Sequence, residues 1–538
     1  RMVPLKLLPY DNKDELQLVI DLPEGTSLER TDAVARRFAD WLAGVSEVEA
    51  VAGFSGRPSP VDFNGLIRQY YLREAPHLAD LRITLAPKGQ RAQQSHALAL
   101  RLRPELERIA REENADIALV EVPPGPPVRS TVVLEIHGDA TAAPEALAAG
   151  AEAAARRFRQ EPGVVDVDTS LIAPHERLVH ELDREKAALS GVSTADVAET
   201  LRIALDGAVP AHARAPREAD PLPVRVRLGY PDRVYPGGLE SVTVEGRAGL
   251  AREQDGAGLR AAPVPQVRLG ELGGFRSEPV ERPRLRKDLD PVVYVYAEVA
   301  GRTPAEVIAD MNADLGAGDD PDAPPPAERT FLNSGGGIGW ELPQGVRGVW
   351  AGEGEWWITL RVFRDLGIAF GAALLGIFVV LWIQTGSSAL TGIIMTAIPL
   401  TVVGIMPGFW LLNVFSTGTV SGYADPVLFT ATAMIGMIAL AGIVVRNALI
   451  LIEFIRSAIA DGMPLREALL EAGSVRMRPV LLTAGTTLLG NLVITLDPIF
   501  SGLAWAIIFG ILASTLFTLA VVPVVYLLIH DEPEEHAS

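Results

Sequence analysis

The sequence of 538 residues contains no cysteine. A disulfide framework, a thiolate zinc site and a cysteine nucleophile are thereby excluded. A cysteine-free domain can sit in an oxidising compartment without pairing risk, although that absence does not assign it there. Methionine is scarce in the first 365 residues, which hold only Met2 and Met311. The eight histidines are scattered, with no pair at metal-ligand spacing. Gly335-Gly336-Gly337 lacks the Gly-Lys-Ser/Thr of a phosphate loop. Gly53-Phe54-Ser55-Gly56-Arg57 fails the nucleophile-elbow pattern at its last position. An enzyme is disfavoured, and no cofactor or metal site is implied. The formal charge of −19 falls mainly on residues 1–365 and argues against a nucleic-acid partner. The start, Arg1-Met2-Val3, shows no charged segment ahead of an apolar core. The amino-terminal domain is therefore expected to cross a membrane by another route, or to follow a further segment.

Long apolar runs are present instead. Five stretches, at about 366–383, 390–412, 427–454, 479–496 and 503–529, are long enough to span a bilayer, which needs roughly 20 residues of helix. Five such runs joined by short loops exceed what a soluble core can hide. The connections 413–426 and 497–502 hold neither Lys nor Arg, whereas Arg456, Arg466, Arg476 and Arg478 lie between the third and fourth runs. The positive-inside rule puts that segment in the cytoplasm. Residues 1–365 then lie outside and the tail inside; Arg361 and Arg364 mildly oppose this orientation.

One residue breaks the apolar pattern. Arg446 lies ten residues before Arg456, about 15 Å deep in a core of about 30 Å. A charge there costs at least ~2.5 kcal/mol and should face a bundle interior beside an acid. Glu453 is two turns away and Asp497 is at the far end of the fourth run. The partner is expected on a segment outside this sequence. The alternative is an arginine snorkelling beside Glu453.

The soluble part reads as α+β. Strand 16–22, helix 28–43 and strand 45–53 are followed by strand 80–85, helix 92–111 and strand 115–122. This is a paired, ferredoxin-like βαβ arrangement. Thr26 and Ser27 suit a helix start, and the proline cluster at 123–127 punctuates the chain. The pattern returns at 132–136, 145–160 and 163–168, and is completed by strand 292–299 and helix 304–315. Between them lies an insertion with strands 178–182, 224–228 and 239–244 and a helix near 194–205. The expected domains are 1–123, then 124–174 with 286–330, the insertion 175–285, a linker 331–365, the membrane domain 366–530 and a cytoplasmic tail 531–538.

In this order the parts resemble the carboxy-terminal half of a resistance-nodulation-division (RND) permease of the hydrophobe/amphiphile, drug-exporting type. Leu7-Leu8-Pro9 and residues 21–29 (DLPEGTSLE) are similar to that family's first porter strand and helix. Gly191-Val192-Ser193 with Asp196-Val197 and Thr200-Leu201 resembles the start of its channel-docking subdomain. Residues 442–454 resemble its tenth membrane helix and 476–483 (RMRPVLLT) the start of its eleventh. The resemblance implies a homotrimer in the bacterial inner membrane, joined to a periplasmic adaptor and an outer-membrane channel. It implies proton antiport driving export of small hydrophobic or amphiphilic substrates.

In that family a lysine of the tenth helix pairs with two aspartates of the fourth, and Arg446 occupies its place. Arginine does not release its proton in practice, so Arg446 would be a fixed counter-charge sensing acids supplied elsewhere. The resemblance makes Asn447, Thr483 and Arg476 its companions in a proton relay. Otherwise Thr483 bonds back to its own helix and Arg476 is a positive-inside anchor. In the stretch matching the family's phenylalanine-rich drug loop, 53–63, only Phe54 and Phe63 remain as rings that could hold flat apolar ligands; either could instead pack a core. A metal exporter would need a soft Met clamp, which the sequence does not offer. A receptor would need a signalling domain after residue 529. A lipid- or protein-exporting relative mostly carries one porter unit per six spans.

Overall fold

The computed structural model describes residues 2–139, 141–216, 219–252, 258–350, 352, 354–416 and 418–530. The expected tail 531–538 lies outside the described residues. The chain divides into two compact units, Ala173–Pro283 and the remainder.

The first subdomain comprises β1 (Glu15–Asp21), α1 (Leu28–Ala43), β2 (Val48–Ser55), the short α2 (Phe63–Ile67), β3 (Leu78–Leu85), α3 (Ser95–Glu113) and β4 (Asp116–Glu121). The sheet order is β2-β3-β1-β4, with every pairing antiparallel. That is the ferredoxin-like topology. Alternation along β1 and β3 turns Leu16, Leu18, Ile20, Leu81 and Ile83 toward Phe38, Leu42, Leu102 and Leu106 of the two long helices. Burying each of these side chains is worth about 1.5–3 kcal/mol. Ser27 accepts from the Arg30 N–H and starts α1. Asn114, at φ +52°, ends α3 in a left-handed turn.

A second subdomain opens with β5 (Val132–Gly138), α4 (Pro144–Gln160) and β6 (Val164–Thr169). The chain then enters the separate unit. Its elements are β7 (Glu176–Leu182), α5 (Arg184–Leu189), α6 (Thr194–Leu205), β8 (Ala208–Ala213), β9 (Leu222–Val226), α7 (Tyr230–Arg233) and α8 (Pro236–Glu240). They continue as β10 (Thr243–Glu245), β11 (Leu250–Arg252), β12 (Leu259–Ala261), β13 (Gln266–Arg268), α9 (Leu269–Leu272) and β14 (Gly273–Pro279). Ser193 and Asp196 form a capping box at the start of α6. β7 and β14 pair antiparallel from Glu176↔Pro279 to Leu182↔Gly273.

On return, the second subdomain is completed by β15 (Arg286–Lys287), β16 (Asp290–Val299), α10 (Pro304–Asp314) and β17 (Val346–Val349). β16 lies between β5 and β6, and β17 pairs with the other edge of β5, which repeats the first subdomain's order. The expected linker 331–365 thus contains the fourth strand, too short to show alternation. Its glycines are tied down rather than free: the Gly336 and Gly337 N–H groups donate to Asp314 and the Gly335 N–H to Asp310. Arg157, Arg302 and Arg329 pair with the same acids and with Glu161.

The last part holds α11 (Glu355–Thr385), α12 (Ser388–Met395), α13 (Ala397–Ser416), the hairpin β18 (Gly418–Val420) and β19 (Tyr423–Asp425), then α14 (Ala431–Ala460), α15 (Leu465–Ile494) and α16 (Ser501–His530). Among the described residues five helical stretches are long and apolar enough to cross a membrane, with α12 and α13 counted as one. Three boundaries differ from expectation. α11 begins eleven residues before the apolar run, so Arg361 and Arg364 ride a helical extension, with Arg361 stacked 4.8 Å from the Trp357 ring centroid. The second stretch breaks at Thr396, because Pro399 cannot bond back to the Met395 carbonyl. α15 begins at Leu465 and runs through Pro479, so Arg476 and Arg478 are helical residues rather than loop. α13 and α16 touch closely: a Cβ on Gly404 or Gly408 would fall 2.2 Å from Ala513 or Phe509, the small-residue contact of membrane helices.

Candidate functional site

α14 has one packed face and one bare face. Leu440, Val444, Ala448, Leu451 and Ile455 are buried in the helical core. Ile435, Ala439, Gly442, Arg446 and Glu453 recur at three-, four- and seven-residue steps on the exposed face. Arg446 is exposed and has no ion-pair or hydrogen-bond partner among the described residues. Glu453 makes no ion pair with it among the described residues and accepts from Gln384 of α11 at 3.2 Å. The snorkelling arrangement beside Glu453 therefore lacks its acid.

α15 returns antiparallel beside α14. Arg476 lies 5.0 Å from the Phe454 ring centroid, and its buried Nε has no hydrogen-bond partner among the described residues. From that contact, seven residues back along α14 is Asn447 and seven forward along α15 is Thr483. Each step is about 10 Å along the helix axis, so Arg446, Asn447 and Thr483 stand at one depth. Arg476 stands a tier away. The Thr483 hydroxyl donates to the Val480 carbonyl at 3.0 Å, bonding back to its own helix.

In the soluble part, Phe54 is half-buried on β2 and Phe63 opens α2 with 64% of its surface exposed. Neither belongs to the subdomain core. Phe63, Leu66 and Leu72 form an exposed apolar segment. A polar clamp hidden from sequence reading ties this segment to the sheet. Buried Asp80 accepts from the Ser59 N–H at 3.0 Å and from Arg73 Nε at 3.2 Å. Arg82 donates to Ser59 Oγ at 2.9 Å and to Asp62 at 2.8 Å. The Asp62 carboxyl, which burial would raise, is held below its ordinary range by Arg82 and the Gly65 N–H.

Two further charge pairs join elements far apart in sequence. Arg68 meets Glu298 of β16 at 2.9 Å. Burial alone would raise the Glu298 carboxyl; the Arg68 guanidinium and the Thr131 hydroxyl outweigh it and hold the group below its ordinary value. Lys6 pairs with Glu355 at the start of α11, and the Leu7 N–H donates to the same carboxylate at 3.1 Å. The Phe429 N–H, just before α14, donates to the Pro4 carbonyl at 2.7 Å. Lys6 also lies 5.0 Å from the ring centroid of Tyr10, which stacks on His96. Burial and surrounding carboxylates, Glu121 first, raise the Tyr10 hydroxyl. No sequence signal announced these pairs, because their partners lie up to 349 positions apart.

A doubled ferredoxin-like platform is followed by a polytopic helical domain with an arginine amid one apolar helix. The chain matches the AcrB/AcrD/AcrF family over residues 1–302 and 339–530, and it belongs to that family. It is a multi-pass inner-membrane protein with a large soluble domain. It is 39% identical to the swarming motility protein SwrC of Bacillus subtilis over 170 residues, 30% of this chain and 15% of that protein. It is 27% identical to the nickel and cobalt resistance protein CnrA of Cupriavidus metallidurans over 402 residues, 74% of this chain and 32% of that protein. A crystal structure of a heavy metal efflux pump shares the fold at TM-score 0.68 and 20% identity, over 98% of this chain and 49% of that one. The chain thus spans about a third or less of the curated relatives it matches, and about half of the solved structure.

Proposed function

We propose that this chain is the carboxy-terminal half of a proton-driven export pump for hydrophobic or amphiphilic compounds. The carrying observation is Arg446: a permanent cation amid a span, on the bare face of α14, without an acid in the described chain. A guanidinium there requires carboxylates from outside this sequence. Those carboxylates would bind and release protons, and Arg446 would register each change. Asn447 and Thr483 stand at its depth and complete the relay; Arg476 fixes α15 against α14. Residues 2–350 lie on the periplasmic side in this reading. The assembly is a trimer, with the Ala173–Pro283 unit meeting an adaptor and an outer channel.

For the cargo, the exposed Phe63, Leu66 and Leu72 favour an apolar ligand, whereas Met311 is sealed in the second subdomain's core and offers no thioether. A second reading, metal export, is favoured by the names of CnrA and of the solved pump. The test is Arg446→Ala in the intact pump. It is expected to abolish resistance and ethidium efflux without lowering the amount of protein in the membrane. Undiminished efflux removes Arg446 from the mechanism. Nickel or cobalt resistance without ethidium efflux selects the metal reading.

A further inference from the structure

The connection between α13 and α14 is not a slack loop. β18 and β19 form a hairpin turning at Ser421 and Gly422, both with positive φ, +52° and +88°. Two such residues in sequence make the tight turn whose twist matches paired strands. The base of the hairpin is fixed. Asn413 of α13 accepts from the Val427 N–H at 2.8 Å and donates to the Val427 carbonyl at 3.0 Å. Four residues later α14 begins. The hairpin is therefore a stiff extension of the two helices that carry it.

Its tip sits where the two soluble subdomains meet. Val420 and Tyr423 pack against Leu100 of α3 in the first subdomain, and against Val165 of β6 and Ala300 in the second. The fit admits no side chain at Gly301: a Cβ there would lie 2.7 Å from the Ala424 nitrogen, and its φ of +73° also demands glycine. A strained residue follows Val165 in the chain. Asp166 adopts φ +51° within β6, where the pairing with β16 slips register. A bulge re-aims a side chain, and a left-handed non-glycine residue persists only where its surroundings hold it. Here the Asp166 carboxylate receives the Leu119 N–H at 3.1 Å and Arg103 Nη2 at 3.0 Å. The first subdomain's helix and strand are thus latched to the second at the point the hairpin touches.

We propose that the Gly418–Asp425 hairpin is a strut, with Tyr423 as its positioning residue, that transmits displacement of α14 to the seam between the two subdomains. This rests on the proton-coupled reading above. Movement of α14 about Arg446 would carry the tip with it, and the seam, latched by Arg103 and Asp166, would open or close as one contact.

The experiment uses the intact pump in proteoliposomes, on a background without other cysteines; this chain has none. Ala300→Cys with Val420→Cys reports the contact through a short thiol cross-linker. At rest the pair is expected to cross-link readily. An imposed proton gradient should lower the yield by about twofold as the populations shift, and Arg446→Ala should remove that response. A yield indifferent to the gradient, or no cross-link at all, overturns the strut. The proton-coupled reading survives that result if Arg446→Ala still stops transport. A response that survives Arg446→Ala sustains the strut and overturns the relay. Tyr423→Ala should abolish the gradient response at normal protein levels, and Tyr423→Phe should restore it, because ring packing is what the contact uses.

Discussion

Arg446 and Glu298 show how one charge behaves with and without its partner. Glu298 has Arg68, and its carboxyl sits below the ordinary 4.5. A lowered carboxyl contributes stability above its unfolded value, and that contribution is lost as pH falls below about 4.5. Replacing Arg68 by Met leaves the burial and removes its main opponent. The folded-state value of Glu298 then rises above 4.5, so stability should decline as pH climbs upward from there, the reverse of the wild type's dependence. The pair's loss should cost about 3–5 kcal/mol near neutrality. Thermal melts of the purified protein across pH, variant against wild type, check both the size and the reversal. Arg446 differs because nothing in the described chain answers it. Arg446→Lys keeps the charge and should retain export, and a pH profile of efflux that shifts in this variant would identify the group as part of the proton path.

At the scale of elements, strands with clean alternation and capped helices were legible. β1 and α1 fall within a residue of where period and the Ser27 cap put them, since each follows from its own residues, whereas α3, with no side-chain cap at Gln94, starts three residues later than its expected 92. The membrane helices were legible as runs, less so at their ends. Composition marks where lipid begins, whereas a helix continues for as long as its backbone bonds do, as α11 and α15 do. β17 was missed because four residues carry no period. The hairpin was missed because its signal, Ser421-Gly422 between short strands, is slight without the Asn413 clamp. Asp166 was unreadable in principle, since its left-handed backbone answers contacts made by α3 and β4. Asn413→Ala should orphan both backbone groups of Val427 at a cost of about 1–3 kcal/mol. Faster hydrogen exchange confined to 418–427 is the expected result, and unchanged exchange would show that the clamp is not what stiffens the hairpin.

At the scale of the whole molecule, most of the outward surface of α11 and α15 is apolar, with Ile368, Leu375, Leu482 and Val493 each more than half exposed. These helices require lipid or further helices around them. Expressed as it stands, the chain should remain in the membrane pellet through alkaline carbonate extraction; recovery in the supernatant would refute the spanning assignment. Of the candidate site, the arginine was legible because a charge inside an apolar run is conspicuous in any sequence. The buried pairs around Glu298, Glu355 and Asp80 were not, because proximity in space leaves no mark in sequence. Arg446 and Glu298 together suggest where to look in related chains: the first by hydropathy, the second only by coordinates.

The antiparallel union of β7 with β14 has one more implication. Glu176 stands opposite Pro279, and the Val280 N–H reaches the His175 carbonyl at 3.0 Å, so the inserted unit departs and rejoins at a single stalk. A lobe attached in this way can be grafted between related chains by cutting two neighbouring strands. Its sequence can then diversify without disturbing the folding of the chain that carries it.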